Sequence, residues 1–85
     1  MTAPRPFSSP ETALAWLNDM LADETKGWRV EMSTEWYGRE RLYIIRAYSM
    51  MDHAGWCSGQ ATSLSAALAW LRHAVEDFMR KEPIT

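Results

Sequence analysis

Three small groups of residues carry side chains able to do chemistry. The stretch His53-Ala54-Gly55-Trp56-Cys57 sets an imidazole four positions from the chain's single thiol, with Asp52 beside the histidine. A zinc centre needs three or four ligands. His53, His73 and Cys57 are the only soft or imidazole donors, so no metal and no other cofactor is expected. A Cys57–His53 nucleophile pair oriented by Asp52 would need a lowered thiol pKa and a cleft beside it. The plainer expectation is a strand cysteine next to a turn histidine. Asp19 and Asp23 stand at i and i+4 near Asn18. They are expected on the outer face of a helix, as solvated carboxylates or as an acidic patch for a basic partner. General acid–base work would need a cleft, and nothing in the chain signals one. Arg39 and Arg41 lie in and beside a turn at Tyr37, and Arg46 follows on the next strand. They read as solvated hairpin arginines or as an anchor for a partner's carboxylate or phosphate. Gly38, Gly55 and Gly59 are isolated, so there is no phosphate-cradling loop. No catalytic residue is assigned.

The elements that must position these groups are legible from local signals. Residues Met1 to Ser8 contain Pro4 and Pro6 and read as an extended arm, leaving 9–85 as one domain. Ser9-Pro10-Glu11 is a helix start, followed by Ala13, Leu14, Leu17, Met20 and Leu21 at helical spacing. The helix is expected from Pro10 to Thr25, with Gly27 as its stop. "WRVEMSTEW" alternates, with Trp28, Val30, Met32 and Trp36 on one face of a half-buried strand. After a turn at Tyr37 to Glu40 the chain returns antiparallel as "RLYIIRAYSMM". Here Leu42, Ile44, Tyr48 and Met50 alternate with Tyr43, Ile45, Ala47 and Met51, and Arg46 interrupts the first set. Either face of this strand could be the buried one. In both registers apolar groups remain on the other side. A second turn, Asp52 to Gly55, leads to a short strand from Trp56 to Gln60. Thr62 or Ser63 then caps a helix with Leu64, Ala67, Leu68, Leu71, Val75, Phe78 and Met79 on one stripe. The expected fold class is α+β: an α-β-β-β-α order, with a three-stranded antiparallel sheet and two helices packed on one face.

Composition narrows the function classes. A chain of 85 residues buries a thin core, yet this one carries five tryptophans, three tyrosines and two phenylalanines. Some aromatic surface is therefore expected to face a partner. Trp70 is a candidate, since it sits off the helix stripe beside Ala66, His73 and Asp77. It either leans over the rim of the core or stands at an interface. The net charge of −2 offers no basic stripe for phosphate backbones, so nucleic acid is not an expected partner. One cysteine allows no internal disulfide, and the N-terminus lacks the apolar segment of a secretory signal. No run approaches the ~20 apolar residues of a membrane span. A cytoplasmic location and no membrane association are expected.

The C-terminal third, from Gly55 through Cys57, Gly59, Thr62, Ala66, Ala67 and Leu68, resembles the small domain of HicB-type antitoxins. In those proteins a glycine-bearing strand precedes an alanine- and leucine-rich helix. The element order is similar to that of the double-stranded-RNA-binding fold. What the resemblance implies is a regulatory protein that binds a protein partner. Domains that bind double-stranded RNA place lysines at the start of the last helix, whereas "TSLSAALAW" holds no basic residue. The 85 residues reach Thr85 without the further DNA-binding segment such antitoxins usually carry. The expected function is a small non-enzymatic protein that binds and inhibits or regulates another protein. Antitoxins and the inhibitors of phages and mobile elements, including anti-CRISPR proteins, are of this class. The alternatives are a double-stranded-RNA-binding module and a small Cys/His enzyme. Apolar groups left on the second strand also predict self-association, most simply a homodimer, through the open sheet face or a strand edge. Trp70, Ala66, His73, Tyr37, Arg39, Arg41, Arg46, Asp19 and Asp23 are the candidate partner-binding residues.

Overall fold

A computed structural model describes residues 3–23, 27–49 and 55–81. Ser9 begins the first helix as its N-cap: its hydroxyl accepts the Thr12 N–H at 3.1 Å, and Pro10 occupies the first turn. This helix, α1, spans Pro10–Leu21. It ends earlier than the expected Thr25. The Ala22 N–H returns to the Asn18 carbonyl at 2.9 Å, and the Asp23 N–H closes onto the Met20 carbonyl at 3.2 Å. No apolar residue after Leu21 continues the stripe, so nothing rewards a further turn. Gly27, with φ 59, lies immediately before the sheet rather than at the helix end.

Three strands follow: β1 at Trp28–Tyr37, β2 at Glu40–Ser49 and β3 at Gly55–Ala61. They form one antiparallel sheet in the order β1-β2-β3. Tyr37 and Glu40 pair directly, so Gly38 and Arg39 alone make the turn. Gly38 has φ 62, the conformation that two-residue hairpin turns require. Met50, Met51 and the segment with Asp52 and His53 lie outside the described residues, as do 24–26 and 82–85.

The second helix, α2, spans Leu64–Lys81. Between the two expected caps the structure selects Ser63, whose hydroxyl accepts the Ala66 N–H at 3.2 Å. Both helices lie on the same side of the sheet. Register shows which side: Trp28, Val30, Ile45, Ala47 and Cys57 face the helices. Ala13 and Leu17 of α1 join them with Ala67, Leu68, Leu71 and Val75 of α2. Each fully buried aliphatic there, Ile45, Leu68 or Leu71, contributes about 1.5–3 kcal/mol. The odd-numbered residues of β2 are thus the core set.

One small residue sets how closely α2 approaches. A Cβ on Gly59 would collide with the Ala67 carbonyl oxygen and the Leu71 N–H, and would lie 3.0 Å from Leu71 Cα. Glycine lets helix backbone rest on strand backbone at this point. The N-terminal arm is tied down as well. Phe7 packs against Trp16 with ring centroids 5.9 Å apart, and the Arg72 guanidinium lies 4.5 Å from the Phe7 ring centre.

Candidate functional site

The β1–β2 hairpin extends beyond the other described elements of the sheet. β3 pairs with β2 only from Tyr43 to Ser49, so Glu40–Leu42 and their partners on β1 have no third strand beside them. Every residue from Glu31 to Arg41 is exposed. Trp28, Val30, Met32 and Trp36 share one face, as alternation predicts. Only the first two are covered, however, and Trp36 remains 64% exposed. The Arg41 guanidinium sits 4.9 Å from the Trp36 ring centre, a cation–π pair on the helix side of the tip. Tyr37, 70% exposed, points to the opposite side.

That opposite, helix-free face carries the even residues of β2. Ile44 is only 9% exposed although no helix covers it and it lies outside the core cluster. Ser33 and Gln60 flank it across the sheet. Beside it is a hollow of ≈ 390 Å³ lined by Glu35, Tyr37, Glu40, Leu42, Ile44, Gln60 and Thr62. An apolar floor, one phenol and two carboxylates meet there. Such a lining accepts an apolar stem ending in a cation. On the same face Arg46 stands opposite Glu31 in the register, and the Tyr48 hydroxyl reaches toward Glu31 Oε2 at 3.5 Å.

The three arginines singled out by spacing are not gathered into one anchor. Arg39 is in the turn, Arg41 is stacked on Trp36, and Arg46 is on the other face, about 16 Å along the strand. Asp19 and Asp23 are both exposed, but α1 ends between them, so they share no helix face. Trp70 is half-buried, as are Ala66 and His73. Its ring meets His73 edge-on at 6.2 Å and overhangs β3 at Ser58–Gln60. Sequence reasoning missed Glu35, Glu40, Leu42 and Ile44 as one site. A two-residue turn sets odd positions of β1 on the same face as even positions of β2, and that was the available signal.

Cys57 faces the core and donates its thiol to the Ala74 carbonyl at 3.6 Å. Burial, then the nearby Asp77 charge, pushes the thiol pKa above its ordinary value, so the thiolate a nucleophile needs is disfavoured. Its expected partners His53 and Asp52 lie outside the described residues. Among the described residues no cluster of three or more His, Cys, Asp or Glu could hold a metal ion. No helix among them is long and apolar enough to cross a membrane. Set against known protein families, characterised proteins and solved structures, the chain matches none of them.

Proposed function

We propose that this domain is a non-enzymatic protein that binds a protein partner and regulates or inhibits it, in the manner of antitoxins and phage-type inhibitors. The observation that carries the reading is the hollow on the helix-free sheet face. There Leu42 and Ile44 form an apolar floor between the carboxylates of Glu35 and Glu40. Two carboxylates repel phosphate and attract a guanidinium or ammonium, which favours a basic protein surface over nucleic acid. The projecting hairpin, with Trp36 and Tyr37 on opposite sides of its tip, adds the aromatic side chains that dominate protein interfaces.

The test is capture from a bacterial lysate with and without nuclease treatment, comparing the wild-type protein with a Glu35→Lys/Glu40→Lys variant. Both substituted positions are exposed, so folding should survive, as circular dichroism would verify. The expected result is a discrete captured protein that the variant loses. Equal capture by both forms, or capture that disappears on nuclease treatment of the wild type, would overturn the reading.

A further inference from the structure

The two edges of the sheet are built differently. β1, at one edge, carries Arg29, Glu31 and Glu35 and ends in an exposed hairpin. Charges of this kind protect an edge from pairing with another strand. β3, at the other edge, reads Gly-Trp-Cys-Ser-Gly-Gln-Ala, with no charge and no proline. Its outward N–H and C=O groups form a template that no other described strand pairs with.

Beside that template α2 overhangs with Trp70, Ala74 and Asp77, spaced i, i+4, i+7 and so on one side of the helix. Two hollows lie between helix and edge. One, of ≈ 500 Å³, lies along the strand edge at Ser58, Gly59 and Gln60, under Trp70. The other, of ≈ 380 Å³, lies at Cys57 beside Ala74, Asp77 and Phe78. Ser58 lines both. The hollows therefore repeat with the interval from Cys57 to Gly59, two residues or about 6.8 Å of strand. That is the interval between successive side chains on one face of an added strand.

We propose that β3 and α2 form a groove for an extended peptide segment of a partner protein, which adds as a fourth strand. The segment presents a bulky apolar side chain to the Gly59–Trp70 hollow and, two residues away, a lysine or arginine to the Asp77 hollow. Backbone pairing supplies affinity and the two hollows supply selectivity, as in other cases of strand addition. The basic preference follows from charge: Asp77 is the acidic side chain of the second hollow, and its field reaches Cys57. A second copy of this chain fits less well. Pairing β3 with β3 would place two α2 helices over strands about 4.8 Å apart, while packed helices need about 8–10 Å. The groove is separate from the hollow at Glu35 and Glu40, and the inference does not rest on that site.

The probe is a random seven-residue peptide library displayed on phage, selected against the whole chain. The expected outcome is enrichment of a bulky apolar residue two positions from a basic one. The enriched peptide, added to 15N-labelled protein, should shift the amides of Ser58, Gly59 and Gln60 and the Trp70 indole. Trp70→Ala should weaken it at least tenfold. Selection against Asp77→Lys, a variant that keeps Trp70, should exchange the basic residue for an acidic one. Glu35→Lys should leave affinity unchanged, which separates this groove from the outer-face site. The proposal is overturned if the library enriches nothing or if the shifts map to Leu42 and Ile44. It is likewise overturned if the β3 amides broaden with protein concentration alone, which would mean that a second copy occupies the edge.

Discussion

Replacing Gly59 by alanine tests the packing of α2 on β3, on which the groove between them depends. The added Cβ meets the Ala67 carbonyl oxygen, the Leu71 N–H and, at 3.0 Å, Leu71 Cα. All three are helix backbone atoms, so no side chain can rotate away. Carbon–carbon contact is comfortable only beyond about 3.5 Å, and α2 must therefore retreat by a distance on the order of 1 Å. A gap of that size forfeits about a quarter to a half of the dispersion energy where it opens. The groups that lose it are Ala67, Leu68 and Leu71, all fully buried. Overpacking costs typically ~1–3 kcal/mol, and a backbone-to-backbone collision belongs at the top of that range. Alanine returns about 0.4–1 kcal/mol by restricting the unfolded chain. The net loss expected is thus roughly 2–3 kcal/mol, a large share of the ~4–13 kcal/mol available to a chain this long. At about 4–8 °C per kcal/mol, the midpoint should fall by roughly 10–20 °C. Thermal melting followed by far-ultraviolet circular dichroism would measure this, with urea midpoints as a second scale. A midpoint within about 4 °C of the wild type would refute the close approach of α2 to β3.

Gly38→Ala should cost only about 1 kcal/mol, because its Cβ meets nothing within 4 Å and the penalty is solely that of a positive φ; Gly38→Asn should cost less. Equal losses at Gly38 and Gly59 in urea titrations would contradict this division between conformation and collision. Trp36→Ala should change stability by no more than about 0.5–1 kcal/mol, since it removes an exposed ring and one cation–π contact. A larger fall in the urea midpoint would mean that the hairpin tip is structural. For Cys57 the folded-state pKa is raised, so the unfolded thiol, with an ordinary value of 9.0, loses its proton first as pH rises. The thiol's contribution is complete below that value and declines as pH climbs from there toward the raised folded pKa. Urea midpoints should therefore drop through this alkaline window, and Cys57→Ala should flatten that part of the profile. An unchanged slope in the variant would assign it to other groups.

What was legible in the sequence was mostly local. Ser9 before Pro10, and Thr62 or Ser63 before a leucine-rich stripe, mark helix starts because capping depends on residues three positions apart. The order α-β-β-β-α followed from periodicity for the same reason. The buried face of β2 was not legible, because Tyr43, Ile45 and Ala47 compete with Leu42, Ile44 and Tyr48 on hydrophobicity alone. The register with Gly59 and Cys57 on β3 decides it, and that is a long-range fact. Alternation placed Trp36 on the face of Trp28 correctly. Coverage is a different matter, because β3 ends opposite Tyr43 and neither helix extends over the tip. Wheel geometry likewise put Trp70 off the stripe. Its position over Ser58–Gln60 depends on Gly59 drawing α2 down onto the strand.

The five tryptophans show how a thin core divides its aromatic residues. Trp28 alone is buried, edge-on to Phe78 at 5.9 Å. Trp16 and Trp70 are half-covered at the rim, each against another ring. Trp36 and Trp56 remain mostly exposed, and the sheet keeps them apart: Trp36 stands at the hairpin tip on the helix side, Trp56 on the other face at the start of β3. Two large rings on one face would merge into a single apolar patch prone to indiscriminate association. Separated, each acquires a different neighbourhood. Arg41 covers Trp36, while Trp56 borders the hollow that contains Asp77. Because distances of this kind keep mutational effects additive, changes at the tip and changes along the β3 groove should act independently. A non-additive double substitution of Trp36 and Trp70 would show that one partner spans both surfaces.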